Sequence, residues 1–305
     1  MPDSQYFHSN GKLLLSGEYF VLDGALALAV PTKFGQSLFV RPNTEKQISW
    51  SSLDEKNEKW FFGRFDILNL ERIESNHLEI AENLIKIFNF LKTKKPLLFE
   101  SGWDFQTRLE FPQNWGLGTS STLIANIAKW AKVDAYELLA NSFGGSGYDI
   151  ACANSNQALF YQTNENTRQI TLVDWKPIFS ENIYFVYLGN KKNSREGIQL
   201  YRKKGLPPPS IIEEISAISK KMVDTKSQST FSEALDNHEE IVSNYIGLEK
   251  VKSLYFPDFL GSIKSLGAWG GDFVMAVSEI DEIQTKAYFN QKGFSTILSW
   301  NEMVL

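Results

Sequence analysis

Residues 112–121 read Pro-Gln-Asn-Trp-Gly-Leu-Gly-Thr-Ser-Ser and run straight into an apolar helical stretch at 123–131. Glycines let a backbone come close to a ligand, and the helix that follows offers unpaired amides at the positive end of its dipole. Hydroxyl side chains beside those amides suit phosphate oxygens or a magnesium ion. The segment is not a Walker A loop, because it has no Gly-Lys-Ser/Thr and no lysine within it. Thr and Ser are also common helix caps. On these residues alone a triphosphate cradle and an ordinary capped turn stand level.

Around this loop, strands and helices mix without strict alternation. Strand character appears at 12–15, 25–30, 36–41, 47–53 and 97–111, with Pro31 punctuating the second of these. Leu78, Ala81, Leu84, Ile85, Phe88 and Leu91 form the apolar stripe of a helix over 76–91. Helices are expected at about 135–142 and 148–154, and a strand at 158–161. Lys176-Pro177 reads as a seam, which divides the chain into lobes at 1–178 and 179–305. Beyond it come a strand at 183–188, a long helical region from the prolines at 207–209 to about Met222, and a helix after Ser229. A glycine-rich turn at 267–272, a strand at 273–277, a helix at 280–290 and a strand at 295–298 complete the order. This pattern is α+β rather than a doubly wound sheet.

Charge and cysteine content narrow the function classes. Net charge is −5 over 305 residues, without a one-sign block, which argues against a nucleic-acid surface. Cys152 is the single cysteine, so no intrachain disulfide forms, and His8, His77 and His238 are too scattered for a zinc motif. No run of about 18 apolar residues is present, so a membrane span is not expected and the cytoplasm is the expected compartment.

Three further segments carry chemistry. The first, Lys12-Leu-Leu-Leu-Ser-Gly-Glu18-Tyr19-Phe-Val-Leu22-Asp23-Gly24, begins with a lysine that is either a solvated strand end or a partner for phosphate charge. The second is Gly144-Gly-Ser146-Gly147-Tyr-Asp149-Ile-Ala. Its aspartate is either an ordinary first-turn carboxylate or a group that takes a hydroxyl proton. The third is Lys264-Ser-Leu-Gly267-Ala268-Trp269-Gly-Gly-Asp272.

With the loop at 112–121, and in this order, these segments resemble the motifs of the GHMP kinases, nearest to the mevalonate and phosphomevalonate kinase branch. Glu18 fits the mevalonate kinase form of the first motif, and Tyr19, Leu22 and Asp23 fit the phosphomevalonate kinase form. Thr119 stands where the loop pattern has its first serine, and Trp269 where the last pattern has glycine.

The resemblance implies a two-lobed GHMP kinase fold with the active site in a cleft between lobes, the N-terminal lobe binding ATP. It implies phosphoryl transfer from ATP, with Mg2+, to a small anionic acceptor, mevalonate or phosphomevalonate. An ATP-dependent diphosphomevalonate-type decarboxylase and a non-catalytic nucleotide-binding homologue are the alternatives. By the same resemblance Asp149 is the catalytic base and Lys12 its charged neighbour. Gly116, Leu117, Gly118, Thr119, Ser120 and Ser121 hold the phosphates. Glu18, Tyr19, Ser146, Gly147, Arg195, Gly267 and Ala268 face the acceptor, and Ser120 and Glu137 hold the metal. The basic stretch of Lys191, Lys192 and Arg195 suits an anionic acceptor equally well as a solvated turn. Neither nucleic acid nor membrane is expected as a partner, and a homodimer stays open.

Overall fold

The computed structural model describes residues 4–164, 167–189, 194–267 and 269–305, the side chains of Ser194 and Arg195 excepted. The chain forms two compact units that interleave along the sequence. The first holds the residues up to Gly11, Phe34–Gln113 and Leu117–Asn154. The second holds Lys12–Lys33, Asn114–Gly116 and Ser155–Leu305.

Strands β1 (Gln5–Ser16) and β2 (Ala27–Asn43) each contribute to both units. In the first unit they are followed by β3 (Gln47–Leu53), β4 (Lys59–Asp66), β5 (Arg72–Ser75), helix α1 (Leu78–Lys94) and β6 (Gly102–Leu109). Helices α2 (Thr119–Ala131), α3 (Ala135–Ala140) and α4 (Tyr148–Ala153) complete it. The sheet order here is β5-β4-β3-β6-β2. β3 and β6 pair in parallel, Trp50 opposite Phe105, because β4, β5 and α1 intervene in the chain and return it to the same direction. β3 alternates strictly, turning Ile48 and Trp50 inward, and β4 does the same with Phe61 and Phe65. Ala81, Leu84, Ile87, Phe88 and Leu91 of α1, and Ile124, Ile127 and Trp130 of α2, close the core. Trp50 stacks on Phe105 at 4.9 Å, and Trp130 meets Phe105 edge-on at 4.9 Å.

In the second unit the N-terminal end of β2 pairs with β7 (Ala158–Asn164), and β7 with β8 (Thr167–Val173). A second sheet follows from β9 (Ile183–Tyr187), helices α5 (Ser194–Lys203), α6 (Pro209–Asp224), α7 (Gln228–Ile246) and α8 (Val251–Tyr255), then β10 (Gly261–Leu266) and β11 (Phe273–Ser278). Helix α9 (Glu282–Gln291), β12 (Ile297–Ser299) and α10 (Trp300–Met303) end the chain. Its order is β10-β11-β9-β12, antiparallel throughout. All six residues of β11 are buried, as a strand covered on both faces requires. α7 packs on α6 and on β10, and from this position it reaches the site residues of this unit.

Two expected elements differ in extent. The strand expected to stop at Pro31 runs on to Asn43. Pro31 falls between the stretch paired with β7 and the stretch paired with β6, where its missing N–H takes no bond from either strand. The strand expected from residue 97 starts at Gly102, because Pro96–Phe99 is a single 3-10 turn.

Candidate active site

The loop after residue 112 turns through positive φ at Gly116 (64°) and Gly118 (96°), a region costly for any side chain. Gly118 is the N-cap of α2, and no side chain caps that helix. Ser121 Oγ and Thr122 Oγ1 instead donate to the Gly118 carbonyl, at 2.8 and 3.1 Å. The hydroxyls thus brace the turn, and among the described residues no side-chain cap bond closes the first-turn amides at Thr119, Ser120 and Ser121. Leu117 is fully buried and anchors the loop, and Ser120 is exposed.

Gly116 is needed for a second reason: a Cβ there would run into the carboxylate of Asp272, which follows the third glycine loop. Gly116→Ala therefore combines a clash with a strained φ. It is expected to cost about 1–3 kcal/mol in chemical denaturation, and Asp272→Ala in the same chain should recover part of that loss.

Asp149 lies in the first turn of α4, behind Gly147 at φ 90°, and is half-buried. Ile150 beside it is fully buried in the first unit's core, and α4 packs on α2, so Asp149 sits on a braced element. Ser146 is half-buried and Gly147 buried. Glu137, near the start of α3, is held by Lys94 at the surface, and Asp134 caps its backbone N–H at 2.7 Å.

The second unit holds Lys12, Glu18, Tyr19, Gly116 and Gly267. Lys12 is half-buried on β1. Glu18 is buried, as is Lys264 of β10, whose Nζ donates to Glu18 Oε1 and, at 2.8 Å, to the Ser265 carbonyl. Two neighbours from α7 close the group. His238 Nε2 accepts the Gly17 N–H at 2.8 Å, and Glu239 accepts from Ser265 N at 3.1 Å and Ser265 Oγ at 3.0 Å.

Since Nε2 accepts the Gly17 N–H, the proton of neutral His238 is on Nδ1, and its 3.3 Å approach to Glu18 Oε2 is no ion pair. Burial, then Lys264, holds His238 well below the ordinary imidazole range. Burial also pushes Glu18 up against the opposing pull of Lys264 and Lys12.

Tyr19 completes the junction. Its hydroxyl accepts the Trp269 N–H at 3.0 Å, and the Trp269 indole donates to the Glu249 carbonyl at 3.0 Å. The indole that stands where the resembled pattern has glycine is therefore held at both its backbone and its ring nitrogen. Asp23 ties the same turn to α5, accepting from Arg202 at 2.7 Å and from Tyr201 at 2.5 Å. Ala268, residues 190–193 and the Arg195 side chain lie outside the described residues.

Sequence reading missed the roles of Lys264, His238 and Glu239. His238 and Glu239 sit in an undistinguished stretch of helix, and Lys264 looks like a surface lysine. Only the spacing of Lys264 before its glycine loop marks it.

Burial raises Glu239 from its ordinary 4.5 to about 7 against Lys264 and the Ser265 hydrogen bonds. A raised acid favours the fold in its protonated form. Its contribution is full below about 4.5, declines as pH rises, and is gone above about 7. Stability should fall by an amount on the order of 3 kcal/mol over that window. Glu239→Gln should flatten it, as read from denaturation midpoints between pH 5 and 8.

Among the described residues no helix is long and apolar enough to cross a membrane, and no group of three or more His, Cys, Asp and Glu is arranged to hold a metal.

No protein-family model and no curated protein matches the sequence. Solved structures do match. Mevalonate kinase of Methanococcus jannaschii superposes with a TM-score of 0.70 at 16% identity, over 97% of this chain and 98% of that one. Streptococcus pneumoniae phosphomevalonate kinase, solved with phosphomevalonate and AMPPNP, gives 0.70 at 14% identity over 97% and 99%. Lactococcus lactis galactokinase, solved with galactose, gives 0.70 at 12% over 98% and 93%. From end to end, the fold of this chain is the one these kinases share, the GHMP kinase fold.

Proposed function

We propose that the chain is an ATP-dependent small-molecule kinase whose acceptor is mevalonate or phosphomevalonate. The observation that carries this reading is the glycine loop at 116–118, which delivers an α2 N-terminus free of any side-chain cap beside an exposed Ser120. It lies in a chain whose fold spans nearly the full length of kinases, one of them solved with a nucleotide analogue. Amides and a dipole end placed this way stabilise phosphate oxygens without reorganising.

In this reading Thr119, Ser120 and Ser121 receive the phosphates. Asp149 accepts or steers the proton of the acceptor hydroxyl, and Lys12 offsets charge on the transferring phosphoryl group. Gly267 and the turn at 17–19 belong to the acceptor end, with Glu18 supporting that turn from its buried place beside Lys264.

Magnesium fits as an ion carried largely on the nucleotide phosphates. Ser120 offers an exposed hydroxyl, whereas the Glu137 carboxylate is committed to Lys94. When bound, the ion would neutralise charge between the phosphates, and the chain's residues supply the positioning.

The test is ADP release with magnesium-ATP against mevalonate, phosphomevalonate, diphosphomevalonate, homoserine and galactose, products identified by mass. Acceptor-dependent ADP with phosphorylated mevalonate or phosphomevalonate is the expected result. Carbon dioxide from diphosphomevalonate would replace the reading with a decarboxylase. Nucleotide binding without turnover on any acceptor would replace it with a non-catalytic homologue.

A further inference from the structure

Two glycine-bearing segments in the second unit, the turn at 17–24 and the loop that carries Gly267 and Gly270, turn through backbone conformations that glycine adopts at least cost. Gly17, Gly24, Gly267 and Gly270 all hold positive φ. Both segments are tied to a single turn of α7. His238, fully buried, accepts the Gly17 N–H that opens the first segment. Glu239, its neighbour in the chain, takes both the N–H and the hydroxyl of Ser265, two residues before Gly267.

Between these anchors Lys264 bridges Glu18 to the Ser265 carbonyl, and at the outer end Tyr19 Oη accepts the Trp269 N–H. The charged and titratable groups that meet here are Lys12, Glu18 and Tyr19 from β1 and its turn, Lys264 from β10, and His238 and Glu239 from α7. A buried polar network of this kind costs desolvation that an apolar core would avoid, most at Glu18 Oε2 and His238 Nδ1, which have no hydrogen-bond partner among the described residues. The bonds it does make fix one arrangement of the groups it joins.

We propose that His238 and Glu239 are positioning residues through which α7 holds the turn at 17–24 and the described residues of the glycine loop, Gly267 and 269–272, as one cooperative unit, so that the two segments open together. The proposal goes beyond the kinase reading and rests on it only for the part these segments play in binding.

Coupling is demonstrated when a change at one end moves the other. The experiment is amide hydrogen exchange on the full chain, followed in peptides covering 12–24, 262–272 and, as a control, α9. Glu239→Ala removes an acceptor from the glycine loop alone, yet exchange should become about tenfold faster in 12–24 as well. His238→Ala should do the converse, with α9 unchanged. Glu239→Gln and His238→Gln keep a carbonyl acceptor at the same reach and should stay within about threefold of the parent.

Exchange rising only in the segment each side chain touches would overturn the proposal. So would equal acceleration by the conservative variants. If the alanine variants do not fold, Ser265→Ala, which deletes the hydroxyl that donates to Glu239 and leaves the 12–24 segment untouched, makes the same test: exchange must rise at 12–24 as well as at 262–272. These outcomes do not depend on turnover, so failure of the coupling is distinct from failure of the kinase reading. Where turnover is found, Glu239→Ala should raise an apparent KM by about tenfold with a smaller change in kcat.

Discussion

Asp149→Asn is expected to lower acceptor phosphorylation by about 10²–10⁴-fold while nucleotide binding survives. The substitution keeps size and shape and removes the capacity to take a proton. Asp149 lies in the first turn of a short helix anchored by its next residue, Ile150, which is fully buried. The amides proposed to receive the phosphates belong to α2, behind Gly118, and should keep their geometry. A loss in kcat with an unchanged nucleotide Kd would fit a group acting on the acceptor hydroxyl in the transition state. Near-parental kcat would remove Asp149 from the chemistry. A matching loss of nucleotide affinity would make it part of the nucleotide site instead.

Much of this frame is legible in the residues, for reasons that can be named. Helix α1 announces itself through Ala81, Leu84, Phe88 and Leu91 at helical spacing, and β3 through strict alternation, because each has one wet face and one dry face. The turns are legible because Gly116, Gly118, Gly147 and Gly267 occupy backbone conformations that other residues avoid. β10 is not, since Gly-Ser-Ile-Lys-Ser-Leu has no strand signature; it is a strand because a buried lysine and serines find partners that lie far away in the chain. Helix α5 is hidden by Gly197, and what explains a glycine there is tertiary: the Tyr19 hydroxyl would lie 2.7 Å from any Cβ. The indole of Trp269, an anomaly against the resembled motif, becomes intelligible only with Tyr19 and the Glu249 carbonyl beside it.

Lys264→Met is expected to cost about 3–5 kcal/mol at pH 8, the largest stability loss among the substitutions considered. Lys264 and Glu18 are 1% and 3% exposed, and removing the lysine takes from the buried Glu18 and Glu239 a cation that both face, leaving Glu18 only the weaker pull of Lys12 among the described residues. Neither carboxylate is well placed to recruit water, so each can relieve the cost only by taking up a proton. That fixes the sign of the pH dependence. Both acids already lie above their ordinary range, and without Lys264 they rise further. The variant should therefore be closest to the parent near pH 5 and lose ground as pH increases. Adding Glu18→Met replaces the broken pair by two apolar side chains of similar length, and should recover a large part of the loss at pH 8, since a buried ion pair is often matched by well-packed apolar groups. Urea denaturation of the two variants at pH 5 and pH 8 decides the matter. A Lys264→Met chain within about 1 kcal/mol of the parent at pH 8 would show that the pair is not what holds the turn at 17–24 to β10. A double variant no better than the single one would place the cost in lost packing around the lysine stem rather than in an uncompensated carboxylate.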